Sequence, residues 1–126
     1  MEEALKPGSI VHIELPVKDR DRAKKFYGDL FGWKFQDVPE MDYTLFETAN
    51  GPSGGLFVPQ EGQFDKGALN YILVDDIEAK SKEIEAAGGE VIGPTVEMPG
   101  RGWWAVFTDP EGTTLAIFQS APPQEE

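Results

Sequence analysis

One arrangement of residues occurs twice along this chain, and it restricts the fold more than any other feature. In residues 12–17 apolar and polar side chains alternate as they do in a β-strand, Asp19 then offers an N-cap for a helix, and Gly32 offers its end. The same order returns later, because the interval from Asp19 to Asp76 equals that from Gly32 to Gly89. The chain is therefore expected to consist of two similar modules.

Three further strands are predicted after the helix of each module. In the first module they cover residues 33–38, 43–48 and 56–58. In the second module one begins with residues 90–92, and the others cover residues 103–108 and 113–119. Asn50–Gly55 and Pro94–Gly102 are rich in turn-forming residues, so both are predicted as loops. The expected fold class is α+β, with two βαβββ modules that form a curled mixed sheet around a central cavity. Residues 8–58 and 67–120 would be the modules of this single domain, and residues 121–126 a disordered tail.

Charge and composition argue against several classes of function. The 126 residues carry a formal net charge of -12, which repels phosphate backbones, so no nucleic-acid partner is expected. The absence of cysteine excludes disulfides, thiolate catalysis and cysteine zinc sites. No apolar run approaches the roughly 18 residues of a membrane span, and residues 1–8 lack the basic and apolar regions of a signal peptide. A cytoplasmic protein with no membrane partner is the resulting expectation.

Aromatic residues are concentrated in the first module. Ala23, Phe26, Tyr27 and Leu30 have the spacing of one apolar helix face. We predict that the aromatic and apolar side chains of this region form core beneath the first helix rather than a binding surface: Phe26, Tyr27, Leu30, Phe31, Trp33, Phe35 and Phe46.

The polar residues of the first strand are candidates for catalysis. His12 is the only histidine of the chain, and Glu14 follows two positions later, so both side chains leave the strand on one face, about 7 Å apart. Tyr71 is the counterpart of Glu14 in the second module when Asp19 is aligned with Asp76. In an apolar surrounding, His12 and Glu14 are suited to acid–base catalysis near neutral pH. The same pattern also fits a role in ligand binding, or a pair of side chains that only hydrogen-bond to each other or to ordered water inside the fold.

Candidates for ligand binding lie in the later part of the second module. Arg101 lies between two glycines, and its guanidinium could hold a carboxylate through two hydrogen bonds, although a surface arginine fits the same pattern. Trp103 and Trp104 alternate across the predicted strand, so one of them faces inward, either as core or as a platform for a ligand. Gly54 and Gly55 lack the context of a phosphate-binding loop and are interpreted as positions of backbone clearance in a strand.

Four stretches, in this order, resemble the vicinal oxygen chelate superfamily, the group of glyoxalases, bleomycin-resistance proteins and dioxygenases. They are HIELPVKDRDRAKKFYGDLFGWKF, YTLFE, VDDIEAKSKEIEAAGGEVIGP and FTDPEGTTLAIFQ, and the resemblance covers roughly residues 8–120. It implies paired βαβββ modules. In the metal-dependent members each module supplies a first-strand ligand, usually histidine, and a last-strand ligand, usually glutamate.

Most of the ligand positions that the resemblance implies hold no ligand in this chain. His12 occupies the first-strand position of the first module, but Leu69 occupies that of the second. The last-strand positions are Ala116 in the second module and its equivalent in the first, Gly55. Catalytic metal centres use about three protein ligands, so no metal or other cofactor is expected, and a divalent metal is the alternative that the family offers.

The resemblance therefore implies a glyoxalase-like protein with a degenerate metal site. Such a protein either binds a small molecule or acts as a metal-independent lyase- or isomerase-like enzyme, and the sequence does not indicate the substrate. The alternative is a non-catalytic protein that sequesters a drug or metabolite, like the bleomycin-resistance members. A metal-dependent lyase or dioxygenase is the least favoured. The expected partners are a small-molecule ligand and a second copy of the chain in a homodimer.

Overall fold

The computed structural model describes residues 5–122. The chain divides into two compact units, one formed by residues 12–69 and the other by the residues before His12 together with those from Asn70 onward. Within the described range no helix is both long and apolar enough to span a membrane. Of the tail predicted to be disordered, residues 123–126 lie outside the described residues, while Ala121 donates its backbone N–H to the carbonyl oxygen of Arg101 at 3.0 Å.

The unit of residues 12–69 contains one α-helix and four strands. Its elements are β1 (Ile10–Pro16), α1 (Arg20–Phe31), β2 (Lys34–Val38), a 3₁₀ turn (Pro39–Met41), β3 (Tyr43–Glu47) and β4 (Ser53–Phe57). Only the part of β1 from His12 onward belongs to this unit. The strands are ordered β2-β3-β4-β1. β1 runs parallel to β4, while β2 with β3 and β3 with β4 are antiparallel.

Local sequence signals set both ends of α1. The carboxylate of Asp19 accepts a hydrogen bond from the backbone N–H of Arg22 at 3.0 Å, which satisfies one of the first N–H groups of the helix. Gly32 ends the helix with a φ of 73°, a left-handed conformation that glycine adopts without steric cost. Both predicted ends of the helix are thus confirmed.

A polar network fixes the start of α1 to strands β2 and β3. Thr44 is fully buried, donates its hydroxyl hydrogen to Asp37 at 2.7 Å and accepts a hydrogen bond from Arg20 at 3.2 Å. Lys24 adds a hydrogen bond to Asp37 at 3.0 Å. Because the bonds from Thr44 and then Lys24 favour the ionised carboxyl, they hold the pKa of Asp37 below its ordinary range.

The other unit repeats this arrangement of one helix and four strands. Its elements are β5 (Leu69–Leu73), α2 (Ile77–Ala86), β6 (Glu90–Met98), β7 (Gly102–Thr108) and β8 (Thr114–Ser120). Only the part of β5 from Asn70 onward belongs to this unit. They are ordered β5-β8-β7-β6, with β5 parallel to β8 and the other neighbours antiparallel. Five of the buried side chains form an apolar cluster: Val74, Ile77, Ala105, Phe107 and Ile117.

The strand register confirms the internal repeat. Glu14 on β1 is paired with Gly55 on β4, and Tyr71 on β5 is paired with Ala116 on β8. The sequence comparison of the two modules makes Glu14 equivalent to Tyr71 and Gly55 equivalent to Ala116, so equivalent residues are paired in the two units. The predicted α+β class with two βαβββ modules is therefore confirmed.

Both loop predictions were wrong in part: residues 50–52 and 99–101 connect strands, but the remaining residues of each predicted loop belong to strands. β4 begins at Ser53 rather than at residue 56, and β6 continues to Met98. The glycines of β4 have no side chains that could show strand alternation. In β6 the pairing with β7 shifts register between Ile92 and Val96, and this irregularity accommodates Pro94, which has no N–H to donate.

The predicted core beneath α1 was wrong in part. No residue of α1 is buried, although Phe46 on β3 is. Three of the predicted core residues are exposed by 53%, 60% and 62%: Phe26, Leu30 and Phe31. Three of the aromatic side chains stack on one another instead of forming a buried core beneath α1. The ring of Trp33 lies between those of Tyr27 and Phe46, with 4.6 Å between centroids on each side.

Candidate functional site

The hydroxyl of Tyr43 joins the two polar side chains of β1. Its oxygen lies 2.7 Å from Nε2 of His12, and it donates a hydrogen bond to Oε2 of Glu14 at 2.8 Å. His12 and Glu14 therefore share one face of β1, as their spacing predicts. We call these three side chains the His–Tyr–Glu cluster.

Gly55 provides the space that the Tyr43 ring occupies. Gly55 lies on β4 beside Glu14, and a Cβ added to it would overlap the hydroxyl oxygen and Cζ of Tyr43. At Gly54 an added Cβ would instead overlap the backbone carbonyl oxygen of Ile13 on β1. The interpretation of both glycines as points of clearance agrees with the structure, and at Gly55 the clearance serves a side chain of the cluster.

Burial sets the charge of His12. The imidazolium form loses hydration in its partly buried position, which lowers the pKa of His12 below its ordinary value of 6.5. His12 is accordingly a neutral imidazole at pH 7. A neutral imidazole contributes one hydrogen-bond donor and one acceptor to the cluster, and it can accept a proton.

The lowered pKa of His12 predicts a loss of stability in acid. The unfolded chain titrates His12 near 6.5, whereas the folded chain holds this proton only at lower pH. Stability is therefore unaffected by His12 above about pH 6.5 and falls as the pH drops from there toward the folded pKa. Thermal unfolding measured between about pH 8 and about pH 5 should show a larger drop in Tm for the native chain than for His12→Gln. Parallel curves for the two proteins would contradict this prediction.

Tyr71 and Trp104 contact each other within the unit that contains α2 and β6 to β8, called the second unit below. Tyr71 is buried on β5, and its ring lies 6.5 Å from that of Trp104 in an edge-to-face arrangement. Aromatic pairs favour this geometry, so it stabilises the strands that carry it. The ligand-binding role predicted for both residues stays a prediction.

Trp103 lies in a different environment from Trp104, in agreement with the predicted alternation of the two side chains. It packs against the apolar cluster of the second unit and lines a cleft of about 380 Å³ beside Asp75, Asp76 and Gln119. The side chain of Gln119 already makes a hydrogen bond there, because its Oε1 accepts one from the backbone N–H of Ile77 at 2.8 Å.

Arg101 lies exposed in the turn that connects β6 to β7. Its backbone N–H donates to the carbonyl oxygen of Met98 at 2.9 Å, and its own carbonyl accepts from Ala121. Its backbone thus closes the turn and holds the end of the chain that follows β8. An exposed position fits a surface arginine, and the ligand-binding role predicted for Arg101 stays a prediction.

The residues at the family's ligand positions do not fit a metal ion. Leu69 is buried and apolar, Ala116 offers only a buried methyl group, and Tyr43 fills the space over Gly55. Among residues 5–122 no group of three or more histidine, cysteine, aspartate or glutamate side chains is placed to hold a metal. The hydroxyl of Tyr43 connects His12 with Glu14 instead.

Tyr43 was not predicted from the sequence as a residue of the site. Alternation identifies its strand but gives no reason to connect it with His12, which lies far earlier in the chain. A signal was nevertheless present in Gly55, since a glycine beside Glu14 leaves room for a large side chain from a neighbouring strand.

Known proteins share both sequence and fold with this chain. Residues 9–49 match the family model described as bleomycin resistance protein-like N-terminal. A glyoxylase-like domain-containing protein of Didymella fabae is 35% identical over 118 residues, which are 87% of this chain and 92% of that protein. The anthracycline biosynthesis protein DnrV of Streptomyces peucetius is 30% identical over 130 residues, and the chain spans 47% of its length.

A solved structure shows the same fold at lower sequence identity. The glyoxalase/bleomycin resistance protein/dioxygenase superfamily member from Vibrio splendidus has a TM-score of 0.64 and 18% identity, over 86% of this chain and 97% of that one. The fold shared with this Vibrio protein agrees with the paired βαβββ modules described above. The chain therefore belongs to the glyoxalase-like proteins of the glyoxalase, bleomycin-resistance and dioxygenase superfamily.

Proposed function

We propose that this protein binds a small molecule at the His–Tyr–Glu cluster and that it needs no metal to do so. The observation that carries the proposal is the Tyr43 hydroxyl, which bonds both His12 and Glu14 in the space left by Gly55. A side chain able to bind a metal from position 55 would need that same space. The cluster thus offers hydrogen bonds where metal-dependent members of the family offer coordination.

The charges and hydrogens of the cluster favour an uncharged ligand that donates hydrogen bonds. A carboxylate accepts up to about four hydrogen bonds, so Glu14 can accept others besides the bond from Tyr43. The neutral imidazole of His12 adds no positive charge, and the net charge of -12 repels anions. Molecules with hydroxyl or amide groups suit this cluster better than phosphates or carboxylates.

A metal-independent enzyme activity would use His12 as the base. A neutral imidazole with a pKa near or below the working pH can remove a proton from a C–H bond beside a carbonyl group. The electron pair of that bond moves to the carbonyl oxygen, and when the ligand is a β,γ-unsaturated carbonyl compound the imidazolium returns the proton at the γ-carbon as the double bond shifts into conjugation. The result is an isomerisation of the ligand without any change in its oxidation state.

The test combines metal analysis with a thermal-shift screen. Protein purified without a metal-affinity resin is assayed for metal and then heated with nickel, zinc or manganese, and with paired compounds of one shape such as benzamide and benzoate. We expect stabilisation by compounds of the benzamide type, since a ligand that binds only the folded chain at 100 times its Kd adds about 2.7 kcal/mol. Benzoate and the metals should have little effect.

Matched variants locate the binding. Glu14→Gln and His12→Gln should abolish the stabilisation, whereas Glu47→Gln, an exposed position on β3, should preserve it. A stoichiometric metal that is lost in His12→Ala would overturn the proposal.

A second candidate function is sequestration of an aromatic drug or metabolite. The exposed side chains of Phe26 and Phe31, and the stacked rings of Tyr27 and Trp33, favour it. The bleomycin resistance protein-like match over residues 9–49 covers this region. In that case the stabilising compounds are aromatic, and Glu14→Gln leaves their effect unchanged.

A homodimer in the cytoplasm completes the proposal. Phe26, Leu30 and Phe31 give α1 an exposed apolar surface, which a second copy of the chain would cover. Light scattering at micromolar concentration measures the mass directly. A mass close to the 13.9 kDa of one chain would contradict the dimer.

A further inference from the structure

We propose that Tyr43 is a positioning residue, which holds His12 in the tautomer that carries its hydrogen on Nε2. The inference rests on the proposed function in that it concerns the same cluster, but its test requires no ligand. It also assigns a role to Gly55, which allows the Tyr43 hydroxyl to reach both partners.

A count of hydrogens supports the assignment. A phenolic hydroxyl has one hydrogen, and that of Tyr43 is directed at Oε2 of Glu14 at 2.8 Å. The contact of 2.7 Å between the same oxygen and Nε2 of His12 therefore takes its hydrogen from the imidazole. A neutral imidazole has one N–H group, so the lone pair lies on Nδ1. Nδ1 is then the nitrogen that acts as acceptor or base.

The backbone fixes the Tyr43 ring in this position. Tyr43 begins β3, is paired with Val38 on β2, and follows Asp42, whose φ of 51° ends the 3₁₀ turn. On β4, Gly55 is the Cα partner of both Glu14 and Leu45, so Tyr43 reaches it from two positions away on β3. Since a Cβ at Gly55 would overlap the Tyr43 ring, any larger residue there displaces the hydroxyl. A side chain at position 55 and the tautomer lock are thus mutually exclusive.

Nuclear magnetic resonance of the single histidine tests the proposal. With ¹⁵N-labelled protein at about pH 8, where His12 is neutral, the native chain should show one tautomer with its hydrogen on Nε2. In Tyr43→Phe the ring nitrogen shifts should move toward a mixture of tautomers. Exchange of the Nε2 hydrogen with solvent should also become about tenfold faster, because the hydrogen bond that holds it is lost.

Two further variants separate positioning from a general loss of structure. Tyr27→Phe removes a hydroxyl from α1 in the same unit and should leave the His12 signals unchanged. Gly55→Ala retains the Tyr43 hydroxyl but displaces it, so it should reproduce the spectrum of Tyr43→Phe. Circular dichroism verifies that each variant is folded.

The outcomes distinguish this inference from the proposed function. A native chain with its hydrogen on Nδ1, or a Tyr43→Phe spectrum identical to the native one, would overturn the positioning role even if a ligand binds. The expected spectra together with a failed ligand screen would support the positioning role and count against the proposed function alone.

Discussion

Replacement of Gly54 by alanine is expected to destabilise the unit of residues 12–69 by about 3 kcal/mol. The added Cβ would overlap the carbonyl oxygen of Ile13 and would lie 2.8 Å from Cζ of Phe46. A side chain could rotate away, but the carbonyl of Ile13 belongs to the strand paired with Gly54. The β1–β4 pairing therefore has to open, which places the cost at the upper end of the usual range for overpacking. Urea denaturation followed by circular dichroism measures the loss.

Gly51 is the matched control for this substitution. It lies in the connection between β3 and β4, and an added Cβ would meet only Oγ1 of Thr48, at 3.1 Å. Gly51→Ala should therefore change the free energy of unfolding by less than about 1 kcal/mol. Equal losses in the two variants would show that Gly54 is not held against β1 in the way described.

Replacement of Phe107 by alanine should cost about 3 to 5 kcal/mol, the largest effect that we expect. Phe107 is 8% exposed and belongs to the apolar cluster of the second unit, together with Val74, Ile77 and Ile117. Truncation removes the ring from these neighbours and leaves a cavity that the strands can fill only partly. Denaturation monitored by fluorescence and circular dichroism measures the change.

Phe31→Ala provides the comparison, because it deletes the same ring from an exposed position. Phe31 is 62% exposed, and its centroid lies 6.3 Å from Tyr27 and 6.5 Å from Trp33. Only a loose aromatic contact is lost, so we expect a cost of about 1 kcal/mol or less. If Phe31→Ala proved as damaging as Phe107→Ala at a concentration where light scattering shows one chain, the exposure of this face of α1 would be contradicted.

Local signals in the sequence were sufficient to predict most of the fold. Asp19 and Gly32 act through hydrogen bonds and backbone angles within a few residues, so they could be read without knowledge of the tertiary structure. The repeat spacing then related the two modules, and the strand pairs Glu14–Gly55 and Tyr71–Ala116 agree with it. The strand residues of β4 and β6 were missed because glycine and proline are ambiguous signals when the neighbouring strand is unknown.

The candidate site was predictable only in part. The common face of His12 and Glu14 follows from strand geometry alone. The hydroxyl that connects them comes from another strand and depends on the register of a third, so no local pattern contains it. For the same reason helical spacing indicated an apolar face of α1 but could not show whether another element covers it.

The stacked position of Trp33 has a practical consequence for following this protein in solution. The chain has three tryptophans, and Trp33 belongs to the unit of residues 12–69 while Trp103 and Trp104 belong to the other. Each module thus contains its own fluorophore. A Trp33→Phe protein has tryptophan fluorescence only from the second unit, and a protein with both Trp103→Phe and Trp104→Phe has it only from the first. The unfolding of two halves with the same order of elements can in this way be observed separately within one intact chain.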